Sequence, residues 1–153
     1  MRLSAFSDYS LRVLMLLGAN TDRLVTIAEI ARIHGISENH LTKVVHQLGR
    51  GGFIETLRGK GGGMRLARPP HRIVLGEVLR QTETDFSLVE CFTTDSHCQI
   101  EAGCQLKPIL GEAMAAMLRV VDRYTLADTL RPPLDTRALV RMVPSRHTTE
   151  GDE

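Results

Sequence analysis

The stretch that most restricts this chain is TIAEIARIHGISENHLTKVVHQLGRGG, residues 26–52. Apolar residues recur there every three or four positions, the spacing of one helix face, and Gly35 interrupts the pattern. A glycine between two amphipathic segments points to a tight turn, since glycine takes a left-handed backbone at little cost. Thr26 and Glu29 have the spacing of a reciprocal cap for the first segment, and Ser37 caps the second. Ile30, Ile36, Leu41 and Val44 fall where the two helices must pack together, and Ala31 is small at the crossing. His34 is the poor fit at an inward position. Two short helices joined in this way form a helix-turn-helix.

The period then changes. FIETL (53–57) and MRLA (64–67) are short β-prone runs around RGKGGG, Arg58 to Gly63, which reads as a hairpin with a long glycine-rich loop. A hairpin directly after the second helix makes the unit a winged helix. Before it, SDYSLRVLMLLGAN reads as a helix capped by Ser7, with Leu11, Leu14 and Leu17 on one stripe. A further helix is expected over 73–83. Pro108 suits the first position of a helix, and ILGEAMAAMLRVVDRYTLADTL reads as one long helix. Its stripe is Leu110, Met114, Met117 and Val121, ending on Tyr124 or Leu126. The expected fold class is mostly α (α+β). A winged helix-turn-helix spans 1–80, a cysteine loop 81–106, a long helix 107–130 and a weakly ordered tail 131–153, disordered after about Pro144.

The apolar run Val13–Ala19 is far short of the ~20 residues a membrane helix needs. Asp8 and Arg12 interrupt any apolar leader, so a cytoplasmic protein without a membrane partner is expected. The net charge of +1 conceals an asymmetry: residues 1–80 carry twelve Lys/Arg against six Asp/Glu, and the rest is acidic. A basic front half suits a polyanionic partner, though differently solvated faces would give the same pattern.

Double-stranded DNA fits the motif. In that reading the second helix enters the major groove and presents Ser37, Glu38, Asn39, His40, Thr42 and Lys43 to base edges or phosphates. Arg58 and Lys60 stand among four glycines in the wing, where bare backbone can approach a phosphate or the minor groove. A helical hairpin serving protein contacts is the alternative. An enzyme is a weaker one, because no cofactor fingerprint or nucleophile–base motif is present.

All three cysteines, Cys91, Cys98 and Cys104, lie in the polar segment CFTTDSHCQIEAGC. An odd number in a chain expected to be cytoplasmic argues against a disulfide framework. Inert structural thiols would sit on an apolar stripe, which this segment lacks. A metal centre remains. Zinc favours closer pairs, whereas iron–sulfur clusters accept wider thiolate spacing; on spacing alone both stay open.

FSDYSLRVL, the helix-turn-helix block, the RGKGGGMRL wing and the three-cysteine loop together resemble the winged-helix iron–sulfur transcriptional repressors over roughly residues 1–130. SLVEC, CQLK and YTLAD are similar to the nitric-oxide-sensing branch of that family. Another branch has a histidine ligand three residues after its third cysteine; Lys107 stands here and cannot serve. The resemblance implies a homodimer built by the long C-terminal helix, a palindromic operator, and a 4Fe-4S cluster, with 2Fe-2S as the alternative. It also implies Asp8 of the partner subunit as the fourth ligand. Asp8 equally suits a first helical turn through the helix dipole, and Asp95 and His97 are local rivals. Nitrosylation of the cluster would then release the operator. A factor answering oxidant or iron status through a cluster, or through zinc and thiols, is the alternative.

Overall fold

The computed structural model describes residues 2–131. Helix α1 spans Ala5–Gly18, α2 Ile27–His34 and α3 Glu38–Arg50, followed by strands β1 (Ile54–Leu57) and β2 (Gly63–Leu66). Helix α4 (Leu75–Thr82) precedes the cysteine segment, and α5 (Leu106–Val121) and α6 (Leu126–Thr129) follow it.

The helix-turn-helix forms as its sequence expects. Gly35 closes α2 at φ +64°, and Ser37 caps α3 by accepting the His40 amide at 3.3 Å. Thr26 accepts the Glu29 amide at 3.2 Å. The reciprocal half of that cap is replaced: Arg23 takes the Glu29 carboxylate at 2.6 and 3.1 Å. Leu41, Val44, Val45 and Leu48 of α3 are buried with Val13, Leu14, Leu16 and Leu17 of α1. Ile30, Phe53, Ile54, Met64 and Val78 complete the same core.

The wing is an antiparallel pair in the register Ile54↔Leu66 to Leu57↔Gly63. Gly59 and Gly61 hold φ +101° and +77° at its tip. Val25 and Met64 exchange backbone hydrogen bonds at 3.0 and 2.8 Å, pinning the base of the wing to the segment before α2.

Three local readings are corrected. Ser4, not Ser7, caps α1 by accepting the Ser7 amide at 3.1 Å. The extra turn lets Phe6 pack on the core and buries Ser7. Helix α5 starts two residues before Pro108, which is tolerated because no amide in a first turn has a helical acceptor. The segment 107–130 is not one helix. It stops at Val121, and Thr125 caps α6 in a reciprocal box with Asp128. Leu75 donates to the Tyr124 carbonyl at 2.9 Å, and Leu126 to that of Ile73 at 2.8 Å. Leu126 is thereby fully buried in the winged-helix core, and Arg80 clamps Asp122 at 2.6 and 2.7 Å. Burial of Leu126 outweighs one more turn of exposed helix.

Helix α5 has no buried residue; Met114 and Met117 are half-buried, Leu106, Ile109 and Val120 are exposed, and so is Tyr124 beyond its end. Among the described residues, no helix is long and apolar enough to cross a membrane. The tail reading for 132–153 lies outside the described residues.

Candidate metal centre and nucleic-acid interface

No long element holds the cysteine segment. Cys91 sits in a single turn over Glu90–Phe92, and Cys104 follows another over Glu101–Gly103. The amide of Cys98 is fixed by the Ser96 hydroxyl at 3.3 Å. These turns bring all three thiols to one cavity of about 180 Å³, although Cys91 and Cys104 are separated by most of the loop. Cys91 is buried, Cys98 and Cys104 half-buried, and none is in a disulfide. Val89, Ile100, Leu106 and Leu110 supply apolar walls.

Among the described residues, no three His, Cys, Asp or Glu side chains stand close enough to hold a single metal ion. A multi-iron cluster spaces its thiolates more widely than one ion does. Soft sulfur donors around a mainly apolar cavity suit such a cluster.

Two charged residues line the cavity that the sequence reading had not placed there as participants, Glu90 and Lys107. Lys107 pairs with Glu101. That hydrogen bond raises the Lys107 pKa, with the Cys91 and Cys104 sulfurs adding smaller attractions. It also lowers the Glu101 carboxyl, helped by Ser96. Lys107 is thus a fixed positive charge beside the thiols. Adjacency to Cys91 was the available signal for Glu90.

Asp8 lies in the first turn of α1 and is paired with Arg12 at 3.0 Å. It does not line the cysteine cavity. Neither do Asp95 and His97, which are exposed; the His97 amide donates to Glu90 at 3.2 Å.

The start of α3 is open to solvent. Glu38, Asn39, His40, Thr42 and Lys43 are exposed. Ser37 spends its hydroxyl oxygen on the cap, and the Thr42 hydroxyl donates to the Glu38 carbonyl at 2.8 Å. Both hydroxyls are therefore already engaged within the first turns of α3. His46 and Arg50 are exposed at helical spacing from Asn39 and Lys43 and extend the stripe. The same period that located the buried face would have found them.

At the wing, Arg65 is neutralised by Glu55 across the strands. Arg68 lies 4.7 Å from the Phe53 ring centroid and pairs with Glu77 at 3.3 Å. Arg58 and Lys60 are exposed, and no ion pair among the described residues engages them.

The Rrf2 family model, described as an iron-dependent transcriptional regulator, matches residues 3–132. The chain belongs to the Rrf2 family. It is 48% identical over 132 residues to the HTH-type transcriptional regulator NsrR of Bacillus licheniformis, covering 85% of this chain and 92% of that one. NsrR of Bacillus subtilis is 46% identical over 144 residues, 93% of this chain and 99% of that one. Among solved structures, IscR of T. potens superposes with a TM-score of 0.67 at 26% identity, covering 85% of this chain and 86% of that one. Oxidized CymR of Staphylococcus aureus, at 24% identity and a TM-score of 0.69 over 86% of this chain and 97% of its own, shares the fold. The winged-helix, mostly α reading holds, and this Rrf2 protein is a DNA-binding transcriptional regulator rather than an enzyme.

Proposed function

We propose that this Rrf2 regulator is a cytoplasmic repressor that senses nitric oxide through an iron–sulfur cluster held by Cys91, Cys98 and Cys104. It binds a palindromic operator as a homodimer and releases it when nitric oxide arrives. The observation that carries this reading is the convergence of three free thiols on one cavity, in a chain similar to NsrR over most of its length. The cluster proposed is 4Fe-4S, with 2Fe-2S as the alternative, and Asp8 of the partner subunit is the carboxylate proposed to join the three thiolates.

When bound, the cluster supplies an iron that takes nitric oxide in preference to a hard carboxylate oxygen. The protein's part is mechanical. Ligation would draw the Asp8 carboxylate away from Arg12, and loss of ligation would return it to the pair seen here. Helix α1 packs on α3 through the common core and is tied to α4 by Ser7 and Thr82. A shift of α1 therefore moves Asn39, His40 and Lys43 against the major groove and Arg58 and Lys60 against the flanking groove. DNA affinity falls because only one position of α1 matches the operator. Two-fold symmetry sets half-sites about one helical turn, or a multiple, apart.

The family's iron-dependent description favours one second reading, a regulator that reports iron status through the same site. Anaerobic purification followed by iron and sulfide analysis, a visible spectrum and native mass tests the site. The expected protein is coloured, and Cys98→Ala loses the colour. A colourless, zinc-loaded chain would overturn the cluster.

A further inference from the structure

A second depression, about 230 Å³, lies between α1 and α3. Ala5, Phe6 and Tyr9 wall it on one side, and His40, Lys43 and Val44 on the other. Its floor is largely apolar. The Tyr9 ring leans on that of His40, with centroids 6.3 Å apart. The depression opens directly beside the exposed stripe of α3.

A helix about 10–12 Å across nearly fills a major groove of about 12 Å, so a sugar–phosphate strand runs along each of its flanks. One flank of α3 is the side turned toward α1. A backbone strand presents apolar deoxyribose faces between phosphate charges. An apolar floor with Lys43 at its rim complements both, in the half of the chain that carries excess basic charge.

We infer that the depression between α1 and α3 seats the sugar–phosphate strand flanking the operator's major groove, which makes α1 part of the DNA interface. This rests on the reading of α3 as the base-reading helix. Asp8 directly precedes Tyr9 in the sequence, so one turn of α1 carries both the proposed ligand and a wall of the DNA seat. A displacement of α1 then acts on DNA binding directly, as well as through α3.

Ala5 is exposed at the first position of α1, so both charges can be placed there without disturbing the core. Glutamate is favourable at a helix N-terminus, which protects the fold of Ala5→Glu. Binding of the full, anaerobically purified protein to its operator and to an unrelated duplex is measured across a salt series. Ala5→Glu should weaken both by about tenfold, and Ala5→Lys should tighten both and steepen the salt dependence by about one contact. Asn39→Ala, measured in parallel, should weaken the operator alone. Wild-type binding by both Ala5 variants, with the operator lost in Asn39→Ala, would overturn the backbone seat and leave the α3 reading standing. An effect of Ala5→Glu confined to the operator would also overturn it. Indifference of all three variants would overturn the α3 reading as well.

Discussion

The Ser7 hydroxyl donates a 2.8 Å hydrogen bond to Thr82 Oγ1, joining α1 to the end of α4 at a buried point just ahead of the cysteine segment. Thr82 in turn donates to the Val78 carbonyl at 2.9 Å. Thr82→Val strands the Ser7 hydroxyl without that acceptor and should cost about 1–3 kcal/mol in urea unfolding. The double variant Ser7→Ala/Thr82→Val should cost less than the sum of the single changes, since no orphan remains. Strict additivity would mean that the two hydroxyls do not act as a pair.

Leu126 is fully buried although the segment around it reads as helix extension. Leu126→Ala should lower stability by about 2–5 kcal/mol, the usual loss for a buried leucine. Val120→Ala, on the exposed face of α5, should leave the isolated chain nearly unchanged; thermal unfolding compares the two. Equal, small effects would place Leu126 outside the core.

The contrast between these positions explains what could be read in advance. Leu41, Val44, Val45 and Leu48 were legible because their burial follows from local helical period, and Gly35 and Ser37 because turn and cap chemistry is local. Ser4 and Ser7 satisfy the same capping pattern. The choice between them depends on Phe6 packing and on Thr82, which is distant in sequence. The break before Leu126 likewise depends on backbone pairing with Ile73 and Leu75. The T-x-x-D signal at Thr125 and Asp128 was present, but it competed with an unbroken apolar stripe. The cysteines were legible as a group. Their shared cavity, with Glu90 and Lys107 on its walls, depends on two turns that carry no period.

His34 bears a buried Nε2 that has no hydrogen-bond partner among the described residues. Burial pushes its pKa down, as does the Arg12 charge, with Asp8 acting against them. The neutral ring is therefore the folded form. As pH falls below the ordinary histidine range, the unfolded chain takes the proton first and stability drops toward the lowered folded value. His34→Leu should add about 1 kcal/mol at neutral pH by removing the orphan nitrogen, and should weaken this acid loss. Denaturant midpoints at neutral and mildly acidic pH measure both effects.

Glu29 is held below the usual carboxylate range by its hydrogen bonds from Arg23, against opposing burial. With a lowered folded pKa, its contribution is fully present above the ordinary glutamate range and is lost as pH falls through the folded value. Glu29→Gln should be less stable than the parent at neutral pH, and the gap should close in acid. A gap that persists at low pH would show that the carboxylate charge is not the stabilising feature.

Ligation at the cysteine cavity is proposed to control DNA affinity through α1. The most direct measurement is operator affinity of the anaerobic, cluster-loaded protein before and after stepwise addition of nitric oxide, for wild type and Asp8→Ala. Wild-type binding should be tight and collapse on nitric oxide, and Asp8→Ala should show a changed cluster spectrum with a blunted response. Wild-type affinity that ignores nitric oxide would rule out control by ligation at this cavity.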